Sequence, residues 1–126
     1  MENPPTALLL VDHGILLPEA NALLEKTAKS VLDRADGIYV AVEPAHMELA
    51  QPSVKIAFDR CVAAGARKVI VSLFFLSPGR HSRQDIPRLA SDAASNHPDV
   101  IWSMTDPLGS DPCITELLLR QAFAAQ

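Results

Sequence analysis

Apolar residues gather in four short runs along the chain, and between those runs they recur every three or four positions. The first run, Ala7-Leu8-Leu9-Leu10-Val11, is continuous rather than alternating, as in a strand buried on both faces. Residues 38–42, 68–76 and 100–104 form the other three, each rich in β-branched or aromatic side chains, which favours strand over buried helix. In the first interval, residues 18–34 put Leu24, Ala28, Val31 and the adjoining Ala35 on one helical face, with Pro18 suited to a first turn and Glu19 facing the positive helix end. Residues 52–64 turn Val54, Ala57, Phe58, Cys61 and Val62 inward before Gly65 supplies a left-handed stop. Asp85 begins a third helix, with Ile86, Leu89, Ala90, Ala93 and Ala94 inward and Pro98 beyond its end. Asp111-Pro112 opens a fourth as N-cap and first-turn proline, with Ile114, Leu117, Leu118 and Ala122 on one side. Regular βα alternation predicts an α/β fold: an open, parallel, four-stranded sheet with helices on both faces.

A length of 126 residues predicts a single domain over residues 1–126, and such a chain buries roughly two thirds of its unfolded surface. Eleven Lys+Arg against 15 Asp+Glu give a formal charge of -4 and a pI near 5.4, which argues against a general nucleic-acid or membrane-surface binder. An anionic ligand would have to be met by a local basic patch. Cys61 and Cys113 both fall in apolar helical patterns without zinc-type spacing and are expected to be reduced core thiols. The apolar run 7–11 is too short for a signal peptide, and nothing approaches the ~20 residues of a membrane span. The cytoplasm is the expected location.

Ligands of open parallel sheets bind beyond the carboxyl ends of the strands. That rule puts His13, His46 and His81 on one rim, after the first, second and third strands, and His97 at the opposite edge as a structural helix-end histidine. His13 and His81 stand at the ends of adjacent strands, which are ~4.8 Å apart, so they can share a metal ion or a substrate. Gly14 and Gly79 beside them allow close approach of backbone and ligand. Arg80, Arg83 and Arg88 lie within nine positions of an acidic protein, near a helix start, and suit carboxylates or phosphates. There is no phosphate-binding loop, no G-x-G-x-x-G and no G-x-S-x-G, so nucleotide cofactors and serine hydrolase chemistry lack support.

Three segments, LLLVDHG, VEPAHMELAQPSV and VSLFFLSPGRHSRQDIP, occur in order over about residues 7–107 and resemble the short sirohydrochlorin chelatases of the class II chelatase family. Asp12, His46 and the run 74–87 are most similar to the branch containing the plastid siroheme ferrochelatases. The resemblance implies ATP-independent insertion of a divalent metal (Fe²⁺, Co²⁺ or Ni²⁺, as substrate) into the tetrapyrrole sirohydrochlorin, for siroheme- or cobalamin-type cofactors. It implies metal binding by His13 and His81, which would also relay the pyrrole protons. Glu48 then serves as acid/base or supporting partner, or else as a helix-start carboxylate. Arg80 and Arg83 meet the substrate's acetate and propionate groups, Gly79 and His46 join them in the substrate-binding set, and His46 is otherwise a third ligand or packs beneath the site. A homodimer is implied, because the short members form half of the longer chelatases. Ile15 and Leu16 depart from the family's usual serine and arginine, and Leu73 stands where proline is common. No cysteine-rich tail follows, so no iron–sulfur cluster and no permanently bound cofactor are expected. Two other readings stay open: a non-catalytic tetrapyrrole- or metal-binding protein, and a structural or regulatory partner.

Overall fold

The computed structural model describes residues 3–77 and 79–126, the side chains of residues 80–83 excepted. Four strands, β1 (Thr6–Asp12), β2 (Ala41–His46), β3 (Lys68–Leu73) and β4 (Ile101–Met104), pair in parallel in the order β2-β1-β3-β4. The helices are α1 (Pro18–Ala35), α2 (Val54–Ala63), α3 (Arg80–Ala94) and α4 (Cys113–Ala124), with a short 3-10 turn at Leu108–Ser110. The α/β class, the parallel sheet and the two-faced helix arrangement therefore stand as the sequence predicts.

β1 and β3 are the inner strands, and their continuous apolar character follows from burial on both sides. On one face Leu9, Val11, Val69 and Val71 meet Ala57, Phe58 and Cys61 of α2 and Ile86, Ala90 and Ala93 of α3. On the other, Leu10 and Val42 meet Leu24 and Ala28 of α1, which lies chiefly over β2 and β1. His97 is structural: its Nε2 is 2.7 Å from Asp59 Oδ1 and its ring stacks on Phe58. Burial, with Glu43 nearby, pushes the Cys61 thiol up to about 12.

Several boundaries differ from expectation. β2 runs from residue 41 to 46 rather than 38 to 42, because Pro44 does not end it. β2 is an edge strand, where a missing N–H costs no ladder hydrogen bond. Ile38 (71% exposed) and Val40 (42%) precede it in the turn after Gly37. β3 stops at Leu73, leaving Phe74, Phe75 and Leu76 in the following loop. α2 begins at Val54, with the Ser53 hydroxyl accepting from the Ile56 N–H. α3 begins at Arg80, five residues before Asp85, and accommodates Pro87 inside the helix. Two expectations fail for packing reasons. α4 buries none of its residues, and Cys113 in its first turn is exposed rather than in the core.

Candidate functional site

The rim at the carboxyl ends of β1, β2 and β3 is assembled by backbone hydrogen bonds that outlast the strands. Met47 N–H donates to the Asp12 carbonyl (2.9 Å), Glu48 N–H to the His13 carbonyl (3.1 Å) and Phe74 N–H to the Val11 carbonyl (2.8 Å). The segments after β2 and β3 are thereby held against the end of β1. Gly14 is where they come closest. Its φ is +80°, and a Cβ there would lie 2.0 Å from the Glu48 carbonyl oxygen and 2.9 Å from His46 Cβ. Only glycine fits both the left-handed backbone and that approach. Leu49, just beyond, is a non-glycine residue at φ 66°.

His13 is exposed on this rim, its imidazole 4.8 Å from the Phe75 ring centroid. The side chain of Glu48 is also exposed. His46 is the last residue of β2 and is only 1% exposed. Its Nδ1 is 2.6 Å from Asp12 Oδ1, directly beneath the His13–Gly14 backbone. A buried imidazole is retained only with a partner, and the Asp12 carboxylate supplies it. That placement matches packing beneath the site. Gly79 is exposed, lacks a left-handed backbone, and among the described residues no atom lies within 4 Å of where a Cβ would stand. His81 and Arg83 belong to the first turn of α3 and Arg80 opens it, seven positions beyond the end of β3. The side chains of Arg80, His81 and Arg83 lie outside the described residues. Arg88 pairs with Asp85 farther along the helix. Among the described residues no group of three or more His, Cys, Asp or Glu side chains converges as a metal cage.

Three further residues shape the rim. Asn21 of α1 clamps the loop after β1: its Oδ1 accepts from the Ile15 N–H (3.1 Å) and its Nδ2 donates to the Ile15 carbonyl (2.5 Å). Phe75 flanks His13, and Asp12 holds His46. Asn21 sits on a helix flank where nothing in the apolar period marks it, whereas Asp12 was visible beside His13. A cleft of about 240 Å³ opens among Asp12, His13, Gly14, Ile15, Asn21 and Phe74. Ile15 (44% exposed) and Asn21 are shared with an adjoining hollow that Leu16 (79%) and Leu49 (60%) also line, so the loop after β1 presents apolar side chains beside polar groups.

Residues 7–125 match the CbiX family model. A sirohydrochlorin ferrochelatase of the Arabidopsis thaliana chloroplast is 48% identical over 102 residues, which cover 81% of this chain and 44% of that protein. A sirohydrochlorin cobaltochelatase of Methanocaldococcus jannaschii is 30% identical over 93% of this chain and 97% of its own length. Among solved structures, SirB from Bacillus subtilis with Fe³⁺ superposes with a TM-score of 0.83 at 25% identity, over 92% of this chain and 45% of that one. The chain thus spans less than half of the plant relative and of SirB, and nearly all of the archaeal one.

Proposed function

The chain belongs to the CbiX family, and we propose from that membership that it inserts a divalent metal ion into sirohydrochlorin without ATP. The observation that carries the reading is the exposed His13 imidazole at the end of β1, beside β3, whose following helix α3 carries His81 as its second residue. β1 and β3 are hydrogen-bonded neighbours through Val11 and Leu73, so the two motifs that hold the histidines leave the sheet side by side.

Metallation of a tetrapyrrole needs two things: a cation stripped of part of its water, and removal of two pyrrole protons. Imidazole serves both, as a neutral nitrogen ligand and as the side chain that exchanges protons near neutral pH. In this proposal His13 and His81 hold the metal against one face of the macrocycle and pass the displaced protons outward. Glu48 follows His13 on the rim through its backbone bond and offers an exposed carboxylate to receive them. His46 acts from beneath, its ring fixed by Asp12, so that it supports the His13 backbone without meeting substrate. Gly79 leaves room at the α3 entrance for Arg80 and Arg83 to engage the acetate and propionate groups. The exposed Ile15, Leu16 and Leu49 suit the apolar face of a flat macrocycle. The metal is substrate rather than a resident cofactor, and iron and cobalt are the two candidates. Among the described residues no helix is long and apolar enough to cross a membrane. We place the single unit of 126 residues in a homodimer, because one half-sized unit leaves the cleft at the rim partly open.

The test is anaerobic absorbance spectroscopy of sirohydrochlorin with Fe²⁺, Co²⁺ or Ni²⁺, comparing wild type, His13→Ala and His81→Ala with the uncatalysed rate. Acceleration that disappears in both variants supports the reading and ranks the metals. A second reading rests on Ile15 and Leu16, which place hydrocarbon at the mouth where the resemblance calls for a hydroxyl and a cation. A wild type that perturbs the substrate spectrum at the uncatalysed rate would make the protein a tetrapyrrole binder.

A further inference from the structure

We propose that Asn21 is a positioning residue of the rim: its carboxamide aims the His13 imidazole by fixing the peptide groups on either side of Ile15. This rests on the reading of His13 as a metal ligand and says what holds that ligand in place.

The need for such a residue follows from what His13 lacks. A metal-binding imidazole is normally aimed by a hydrogen bond from its second ring nitrogen to a carboxylate or a carbonyl. His46 has such a partner in Asp12. Among the described residues no group hydrogen-bonds the His13 ring, whose aromatic neighbour is Phe75, with centroids 4.8 Å apart and planes tilted by 32°. Both His13 nitrogens are thereby left for a metal and a proton, and the aim of the ring is left to its backbone and to Phe75.

On the strand side that backbone is secure. Asp12 stands opposite His46 in the ladder, its carbonyl accepts from the Met47 N–H, and the His13 carbonyl accepts from the Glu48 N–H. Phe75 is fixed as well, since Phe74 N–H donates to the Val11 carbonyl and Leu108 N–H to the Phe75 carbonyl. The loose point is Gly14. It stands at φ +80° and, having no Cβ, can turn about its ψ at little cost. Leu17, at the start of α1, offers no side-chain cap, and its carbonyl takes the N–H groups of Ala20 and Asn21.

From Gly14 to Leu16, the hydrogen bonds among the described residues are the two that the Asn21 side chain makes. They engage both peptide planes that meet at the Ile15 Cα. Oδ1 accepts from the Ile15 N–H (3.1 Å), in the Gly14–Ile15 peptide, and Nδ2 donates to the Ile15 carbonyl (2.5 Å), in the Ile15–Leu16 peptide. Asparagine carries a donor and an acceptor on one short planar group, which is what this pairing requires. The two bonds fix φ and ψ of Ile15, stop the swing about Gly14 and so keep His13 in one orientation against Phe75. Asn21 is half-buried and belongs to the wall shared by the His13 cleft and the hollow that His46 also lines. Removing its amide would therefore loosen the metal ligand and the Ile15 side chain together. Functional geometry tolerates about 0.5 Å of looseness, and a lost supporting partner costs about 10–100-fold in metal affinity.

The test begins with the whole chain free of metal and substrate. The Phe75 ring current should displace the His13 ring-proton NMR signals upfield, and their loss in His13→Ala identifies them. Asn21→Leu keeps the volume and the helix but neither hydrogen bond, and should return those signals to the unstacked position. Titrated with Co²⁺ alone, the site that His13→Ala abolishes should bind at least ~10-fold more weakly in Asn21→Leu than in wild type. Asn21→Gln keeps both amide groups one methylene farther out and should recover part of each loss. Should leucine not fold there, Asn21→Ala, which forces nothing into the cleft, takes its place with the same expectations. Wild-type signals at the unstacked position overturn the proposal, as does an Asn21→Leu protein that keeps either the wild-type shifts or the wild-type Co²⁺ affinity. An Asn21→Gln protein no better than Asn21→Leu also overturns it, since the amide would then have no part in the effect. Metallation of sirohydrochlorin is assayed separately. A wild type that does not metallate it, while Asn21→Leu loses both the stacked signals and Co²⁺ affinity, removes the chelatase reading and leaves Asn21 in its role. A wild type that metallates it, with an Asn21→Leu protein unchanged in both readouts, does the reverse.

Discussion

Replacing Gly14 by alanine should damage this protein far more than a one-carbon change normally does. The residue sits at φ +80°, where a non-glycine side chain costs about 1–3 kcal/mol. The new Cβ would also lie 2.0 Å from the Glu48 carbonyl oxygen, which is backbone and has no rotamer through which to escape. Relief requires the end of β1 to part from the segment after β2. That movement strains the Glu48-to-His13 and Met47-to-Asp12 hydrogen bonds, each worth about 1 kcal/mol net. Together these give a loss of about 3–5 kcal/mol, a large share of the ~5–15 kcal/mol that holds a domain folded. A chain of 126 residues should then melt roughly 10 °C or more lower. Gly79→Ala is the matched control. It too lies on the rim, but its backbone is not left-handed and its Cβ position is open, so its stability should change by no more than ~0.5 kcal/mol. Urea and thermal denaturation followed by circular dichroism measure both. A Gly14→Ala protein melting within ~2 °C of wild type, or a Gly79→Ala loss of equal size, would refute the argument that rim packing, not ligand approach, fixes Gly14.

Asp12→Ala should cost about 1–3 kcal/mol, because it strands the 1%-exposed His46 ring without its carboxylate. Adding His46→Phe should recover part of that loss, and a double-mutant cycle with coupling below ~0.5 kcal/mol would contradict the pairing. At the opposite edge, the hydrogen bond from His97 holds the Asp59 carboxyl below its ordinary value of 3.8, aided by Lys55. Its stabilisation is therefore complete above pH ~4 and disappears as pH falls through the lower folded value. The side chain is 40% exposed, so the term is less than about 1 kcal/mol. Urea midpoints from pH 6 to 2.5 should show Asp59→Asn losing that increment at neutral pH but not at the acid end, and a constant offset across the range would count against it. With a thiol reagent at pH 8, Cys113 should react in the native state, while Cys61, buried and pushed up to about 12, should react only on unfolding. A fast phase that persists in Cys113→Ser would show that Cys61 is accessible.

The strands and helices of this fold were legible because burial on both faces makes β1 and β3 continuous apolar runs, and burial on one side gives α1, α2 and α3 their period. Where the reading slipped, a proline stands inside the element. The second apolar run was read as residues 38–42, yet β2 continues through Pro44 to His46, because an edge strand tolerates a missing donor. Asp85 was read as the start of the third helix, yet α3 begins at Arg80 and holds Pro87 inside it. Both errors moved chemistry. His46 became the buried end of a strand instead of a loop residue beyond it, and Arg80, His81 and Arg83 became the first turn of a helix instead of a loop before one. The rim itself was legible, because the carboxyl ends of parallel strands share one edge and the His13 and His81 segments follow two of those ends.

α4 exposes the limit of pattern reading most plainly. Its apolar period is as clear as that of α2, with Ile114, Leu117, Leu118 and Ala122 on one side. Periodicity reports that a face avoids water. It does not say which chain supplies the cover. α2 finds Phe58 and Cys61 buried against β1 and β3 because right-handed crossover from β2 to β3 must carry it over that face. No such constraint acts after the last strand: a terminal helix is directed only by its connector. Here that connector is pinned by Thr105, Leu108 and Gly109 to the end of β3. The information that sends α4 outward lies in a glycine and a hydroxyl among residues 105–110, outside any apolar run, and its consequence is the exposure of Leu118 and Phe123.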